Sequence, residues 1–108
     1  MAAKVYVTQE NPALNYLPAE AFGDVIFMTR NDFSPMRNSL GNEALIAELR
    51  QKLQNFNPKV DYLTISGSPV VTAAVFMLLR EVTDTVNILR WSNRDKMYQH
   101  LVISVKIT

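Results

Sequence analysis

The chain has 108 residues, 48% of them hydrophobic and 19% charged, with a formal net charge of +1. That length fits one α/β-sized domain, 1–108; the balance excludes a disordered chain, and the small net charge excludes an electrostatic sponge for nucleic acid or anionic lipid. The absence of cysteine excludes disulfides and thiolate chemistry and points to a reducing compartment.

The first residues, Met1-Ala2-Ala3-Lys4-Val5-Tyr6-Val7, lack a charged leader followed by an apolar stretch, so no secretory signal is expected. The longest apolar run, around Val70 to Leu79, is about half the ~20 residues a bilayer needs. No membrane partner is implied, and the cytoplasm is the expected location. Val5-Tyr6-Val7-Thr8 is β-branched and aromatic, which suits a strand. Between Glu10 and Phe22, Asn11-Pro12 and Leu17-Pro18 favour an ordered, irregular connection. Its apolar members Leu14, Tyr16, Leu17 and Phe22 are expected to lie down on the domain. Val25-Ile26-Phe27-Met28-Thr29 is a second strand, apolar on both faces, which predicts an interior position in a sheet covered on both sides. Residues 30–41 turn polar, and a long loop carrying its own charges is a candidate for function.

Residues 43–56 read as an amphipathic helix, with Leu45, Ile46, Leu49 and Leu53 on one face and Asn42 as the N-cap. Asn57-Pro58 ends it, and residues 61–65 follow as a third strand. The cleanest local signal is Ser66-Gly67-Ser68-Pro69: glycine permits a sharp turn, Ser68 caps, and Pro69 fits the first helical position. The helix it opens runs to about Val82. Its apolar residues point in nearly every direction, which predicts burial all round by the sheet and by the first helix or a second subunit. Residues 86–91 and 97–107 flank the polar stretch 92–96 and form a C-terminal β-hairpin. The predicted fold is α/β: a small mixed sheet of about five strands with two helices, in the order β-β-α-β-α-β-β.

Two stretches carry candidate chemistry. At Ser66, Gly67 and Ser68, backbone N–H groups at a helix N-terminus can receive an anion. The motif holds no lysine, and its spacing matches neither a P-loop nor a dinucleotide fingerprint. The plainer reading is an ordinary helix cap. In the hairpin, Arg90, Trp91, Arg94, Lys96 and Tyr98 interleave cations with aromatics, a pattern that can hold phosphates and stack bases. From Val86 to the end, Arg90, Arg94, Lys96 and Lys106 face Asp95 alone, a local balance of +3. The plainer reading packs Trp91 against Tyr98 across the hairpin with arginine stems over them, and the same residues suit a protein partner. His100 is the sole histidine and falls opposite the core face of its strand, so no metal site and no cofactor is implied. Without cysteine and with one histidine, most nucleophile and general-base arrangements lack their usual residues; the expectation is no enzyme.

Asp61-Tyr62-Leu63-Thr64-Ile65-Ser66-Gly67-Ser68-Pro69, followed by Leu89-Arg90-Trp91-Ser92-Asn93-Arg94-Asp95-Lys96-Met97-Tyr98, resembles small proteins of tailed bacteriophages. These carry an apolar strand, a glycine turn into a helix, a Leu-Arg-Trp strand and a charged turn before tyrosine. The resemblance spans residues 57 to 105 and brings no catalytic residue with it. It implies a viral accessory protein that binds something in the host cytoplasm. The function expected is therefore that of a non-enzymatic interaction module, self-associating as a homo-oligomer. Its predicted partner is a protein, held through hairpin 90–100 and loop 30–41. The alternatives are nucleic-acid binding by the same hairpin and nucleotide or anion binding at the Ser66–Pro69 turn.

Overall fold

Strand-forming residues recur at five places, and the computed structural model, which describes residues 2–37 and 39–106, joins all five in one sheet. In chain order the elements are β1 (Lys4–Val7), β2 (Asp24–Phe27), α1 (Leu40–Leu53), β3 (Tyr62–Thr64), α2 (Pro69–Leu79), β4 (Thr85–Ser92) and β5 (Met97–Ser104). A short 3-10 turn, Leu17–Ala21, lies between β1 and β2. The strands run β2-β1-β3-β4-β5 across the sheet, parallel except for β5, which folds back on β4 as a hairpin. This is the α/β class and element order read from the sequence. Asn38 in the long loop and Ile107 at the end of the expected hairpin lie outside the described residues.

Right-handed crossovers decide which face each connection covers. The step from β1 to β2 runs one way along the sheet; the steps from β2 to β3 and β3 to β4 run the other. The 3-10 turn therefore covers one face and both helices cover the opposite one. On the helix face, Tyr6, Leu63 and Ile88 meet Leu45, Leu49 and Leu53 of α1 and Val71, Val75 and Leu79 of α2. A leucine as enclosed as Leu49, Leu63 or Leu79 contributes about 1.5–3 kcal/mol by leaving water. On the other face a smaller cluster joins Val5, Ala19 and Leu89 to Phe22, Val25, Tyr62 and Tyr98. Buried Asp61 ties the bottom of the sheet together, accepting the N–H of Lys4 at 3.0 Å and of Asn57 at 2.8 Å.

Four expectations need correction. β2 is an edge strand, not an interior one. Its apolar pattern is real because Ile26 packs toward the helices and Val25 toward the 3-10 turn; two-faced cover does not require a neighbour on each side. α1 starts at Leu40, three residues before the expected start, and its cap is Ser39, whose hydroxyl accepts the Asn42 N–H at 3.2 Å. Asn42 instead clips the preceding loop, accepting the Ser34 N–H and donating to the Ser34 carbonyl, both at 2.8 Å. α2 is not enclosed all round: Met77 is 76% exposed and Val70 58%, because a single sheet face and α1 cover only one side of it. Leu14 and Leu17 remain exposed while Tyr16 and Phe22 of the same connection pack down. The α2 cap is as expected, with Ser68 Oγ accepting from Val70 and Val71 and Pro69 opening the helix.

Candidate functional site

In a sheet of order 2-1-3-4-5 the chain leaves β1 and β3 in opposite directions, and the crevice outside the carboxyl ends of the strands is where such folds take ligands. Here that crevice begins with Thr8, just past β1. Its fully buried hydroxyl donates to the Ser66 carbonyl at 2.8 Å and accepts the Ser66 N–H at 2.9 Å. Gln9 follows. Its Oε1 accepts the Ser68 N–H at 2.6 Å and its Nε2 donates to the Asn31 carbonyl at 2.8 Å. Gly67 is at φ +77°, a left-handed conformation glycine adopts without strain, and a Cβ there would collide with the Gln9 side chain. The Ser66-Gly67-Ser68 turn is thus engaged from within: the N–H of Ser66 by Thr8, that of Ser68 by Gln9, and the first helical N–H groups by Ser68 Oγ.

The Ser66 side chain points to a different neighbour. Its Oγ lies 2.7 Å from the Tyr16 hydroxyl, which also accepts the Asn11 N–H at 2.8 Å. Tyr16 is braced by an edge contact with Phe27, ring centroids 5.0 Å apart. The connection after β1 thereby folds over the end of β3. It forms one wall of a cleft of about 250 Å³, whose opposite wall is Trp91 of β4 and Tyr98 of β5. Thr64, Ile65 and Ser66 floor it, and Leu14 and Asn15 stand at the rim. Trp91 and Tyr98 face each other across the hairpin at 5.1 Å, edge to face, as the plainer packing reading of the hairpin has it. Trp91 remains 39% exposed, and its indole N–H is held by Asn93 Oδ1 at 3.0 Å. Burial pushes the Tyr98 phenol above its ordinary value; the nearby Tyr16 phenol adds to that shift and the Thr64 hydroxyl opposes it. None of the lining residues is charged.

The structure therefore joins two stretches that looked separate, Ser66 of the turn and Trp91 with Tyr98 of the hairpin. It parts others. Strand alternation places Arg90 on the helix face, where it donates to Gln99 Oε1 at 2.8 Å, so its stem does not cover Trp91. Arg94 and Lys96 sit exposed in the turn at the hairpin tip, with Lys96 at φ +54°. His100 lies on the face away from the helices, 3.0 Å from Asn87 Oδ1 and edge-on to Tyr62. Loop 30–41 leaves β2 at the same carboxyl end of the sheet but from the far edge. It borders its own open hollow of about 560 Å³ over the start of α1. Sequence reasoning missed Leu14, Tyr16 and Ile65 as site residues. The signal was present in the proline-flanked apolar stretch after β1, but nothing local says which part of the domain such a stretch covers.

Among the described residues no group of three or more His, Cys, Asp or Glu side chains is placed to hold a metal ion. No helix among them is long and apolar enough to cross a membrane. A family model described as phage Pam3 gp32-like protein matches residues 3–105. No curated protein and no solved structure matches the chain.

Proposed function

The chain belongs to the phage Pam3 gp32-like protein family, and from that premise we propose that it is a binding module that takes a protein partner in the carboxyl-end cleft, in the cytoplasm of the host. The observation that carries this reading is the lining. Leu14, Ile65 and Trp91 offer apolar area to solvent, 54%, 53% and 39% exposed, around a cavity with no cation in its wall. An apolar or aromatic side chain of a partner fits such a cleft, with the Tyr16 and Ser66 hydroxyls available to its backbone. A half-exposed tryptophan in a pocket is the usual anchor of a protein interface. A nucleic-acid strand needs cations beside the stacking surface, whereas Arg90 faces the other way and Arg94 and Lys96 stand at the hairpin tip. Those two cations act as a rim, steering an acidic partner and setting its rate of encounter more than its residence.

Binding without catalysis is part of the same reading. The ionisable groups of the cleft are two phenols, and Ser66 Oγ is bonded to one of them rather than to an imidazole or carboxylate that could take its proton. The test is affinity capture from the native host, comparing nuclease-treated and untreated lysates. Trp91→Ala is expected to lower capture of a defined partner by tenfold or more and Arg94→Glu to slow association with that partner, both in nuclease-treated lysate. Capture that vanishes with nuclease, and binding that falls steeply with salt, would establish nucleic acid as the ligand instead.

A further inference from the structure

We propose that β5 is the seam of a two-fold homodimer, pairing antiparallel with the β5 of a second copy so that the sheet runs on from one chain into the other. β5 is the outer strand on its side of the sheet. The N–H of Val105 bonds the Asp84 carbonyl at 2.8 Å, and the register alternates from there. Odd-numbered residues of β5 therefore bond β4, and the N–H and C=O groups of Tyr98, His100, Val102 and Ser104 point outward. Proteins that keep such an edge solitary shorten it, bulge it, or place lysine or proline on it. β5 is eight residues long, pairs with β4 without a bulge, and contains no proline, glycine, lysine, arginine or carboxylate.

A second copy of this strand is the occupant that suits it. In an antiparallel pair about a two-fold axis, residue numbers facing one another have a constant sum, and an axis at the apolar stretch Leu101-Val102-Ile103 sets that stretch against its own equivalent. With no charge between Met97 and Ser104, no such register opposes like charges within the strand itself. Val102 is 60% exposed, Ile103 47% and Val105 51% in the single chain. Beside them, Phe76 and Leu79 of α2 line a groove of about 200 Å³ that continues the seam on the helix face. A standard interface covers about a tenth of a small protein's surface, and on this chain's 7262 Å² the strand edge and the groove lie side by side, sharing Ile103 and Val105. The association closes at two because the opposite edge, β2, is only four residues long and begins with a charged Asp24.

Sedimentation equilibrium of the full chain at tens of micromolar tests this, expecting twice the 12.3 kDa chain mass. Val102→Lys, which sets like charges near the axis, should weaken the dimer about tenfold or more with unchanged circular dichroism. The chain has no cysteine, so single cysteines scanned from Gln99 to Ser104 locate the axis independently of that variant. A disulfide-linked dimer should form readily at the position on the axis and poorly at its neighbours, since facing Cα atoms must lie within about 7 Å. A chain monomeric at every concentration overturns the proposal. So does a dimer that crosslinks at none of the scanned positions, which would place the interface elsewhere, such as on the exposed side of α2.

Discussion

Thr8 and Gln9 show how two side chains just beyond a strand decide what the end of a sheet can do. A Thr8 hydroxyl that both donates to and accepts from Ser66 fixes the turn before α2, and Gln9 fills the space against Gly67 where an anion would approach the helix. What is left for a ligand is the side-chain face of Ser66, turned toward Tyr16. Tyr6 supplies the residue-scale prediction. It is buried on the helix face against Phe56, ring centroids 5.2 Å apart, and burial followed by the negative charge of Asp61 raises its phenol above 10.0. A raised phenol keeps its proton in the native state after the unfolded chain has lost it. Its contribution to stability is therefore whole below pH 10 and lost as pH rises from there through the native value. Urea denaturation between neutral pH and pH ~11 should show stability falling at the alkaline end. Tyr6→Phe should make that fall shallower; an unchanged slope would contradict the account.

At the scale of elements, the caps separate what was legible from what was not. Ser68-Pro69 could be read because a hydroxyl, a fixed φ and a missing N–H all act within three residues. The start of α1 was misread because Ser39 and Asn42 both belong to the capping type, and Gly41 between them looks like an interruption rather than a helical residue. Only tertiary contact with Ser34 assigns Asn42 its different task. Ser39→Ala should accordingly cost about 1 kcal/mol of stability in chemical denaturation. Asn42→Ala should chiefly accelerate amide hydrogen exchange at Ser34, whose N–H it satisfies; equal effects of the two on exchange at Ser34 would count against this division. The exposed side of α2 was illegible for another reason. Apolar residues occupy it as they occupy the buried side, so hydropathy carries no sign of which direction the sheet lies. β2 misled in the same way, since its pattern reports cover on its faces and nothing about its edges.

For the whole molecule, strand order is what assembles a site from pieces far apart in sequence. Placing β1 beside β3 and β3 beside β4 brings Tyr16 to Ser66 and both within one cleft of Trp91 and Tyr98. The same alternation that puts Trp91 in the cleft turns Arg90 out of it, which no count of basic and aromatic residues in the hairpin could reveal. Trp91 is the chain's one tryptophan, so emission excited beyond the absorption of its four tyrosines reports on the cleft alone within this chain. The most direct measurement is acrylamide quenching of that fluorescence, free and with a tryptophan-free form of a captured partner added at saturation. Partner binding in the cleft predicts a blue-shifted emission and a quenching constant reduced several-fold. Emission and quenching that stay as in the free chain, while the partner is demonstrably bound, would contradict it.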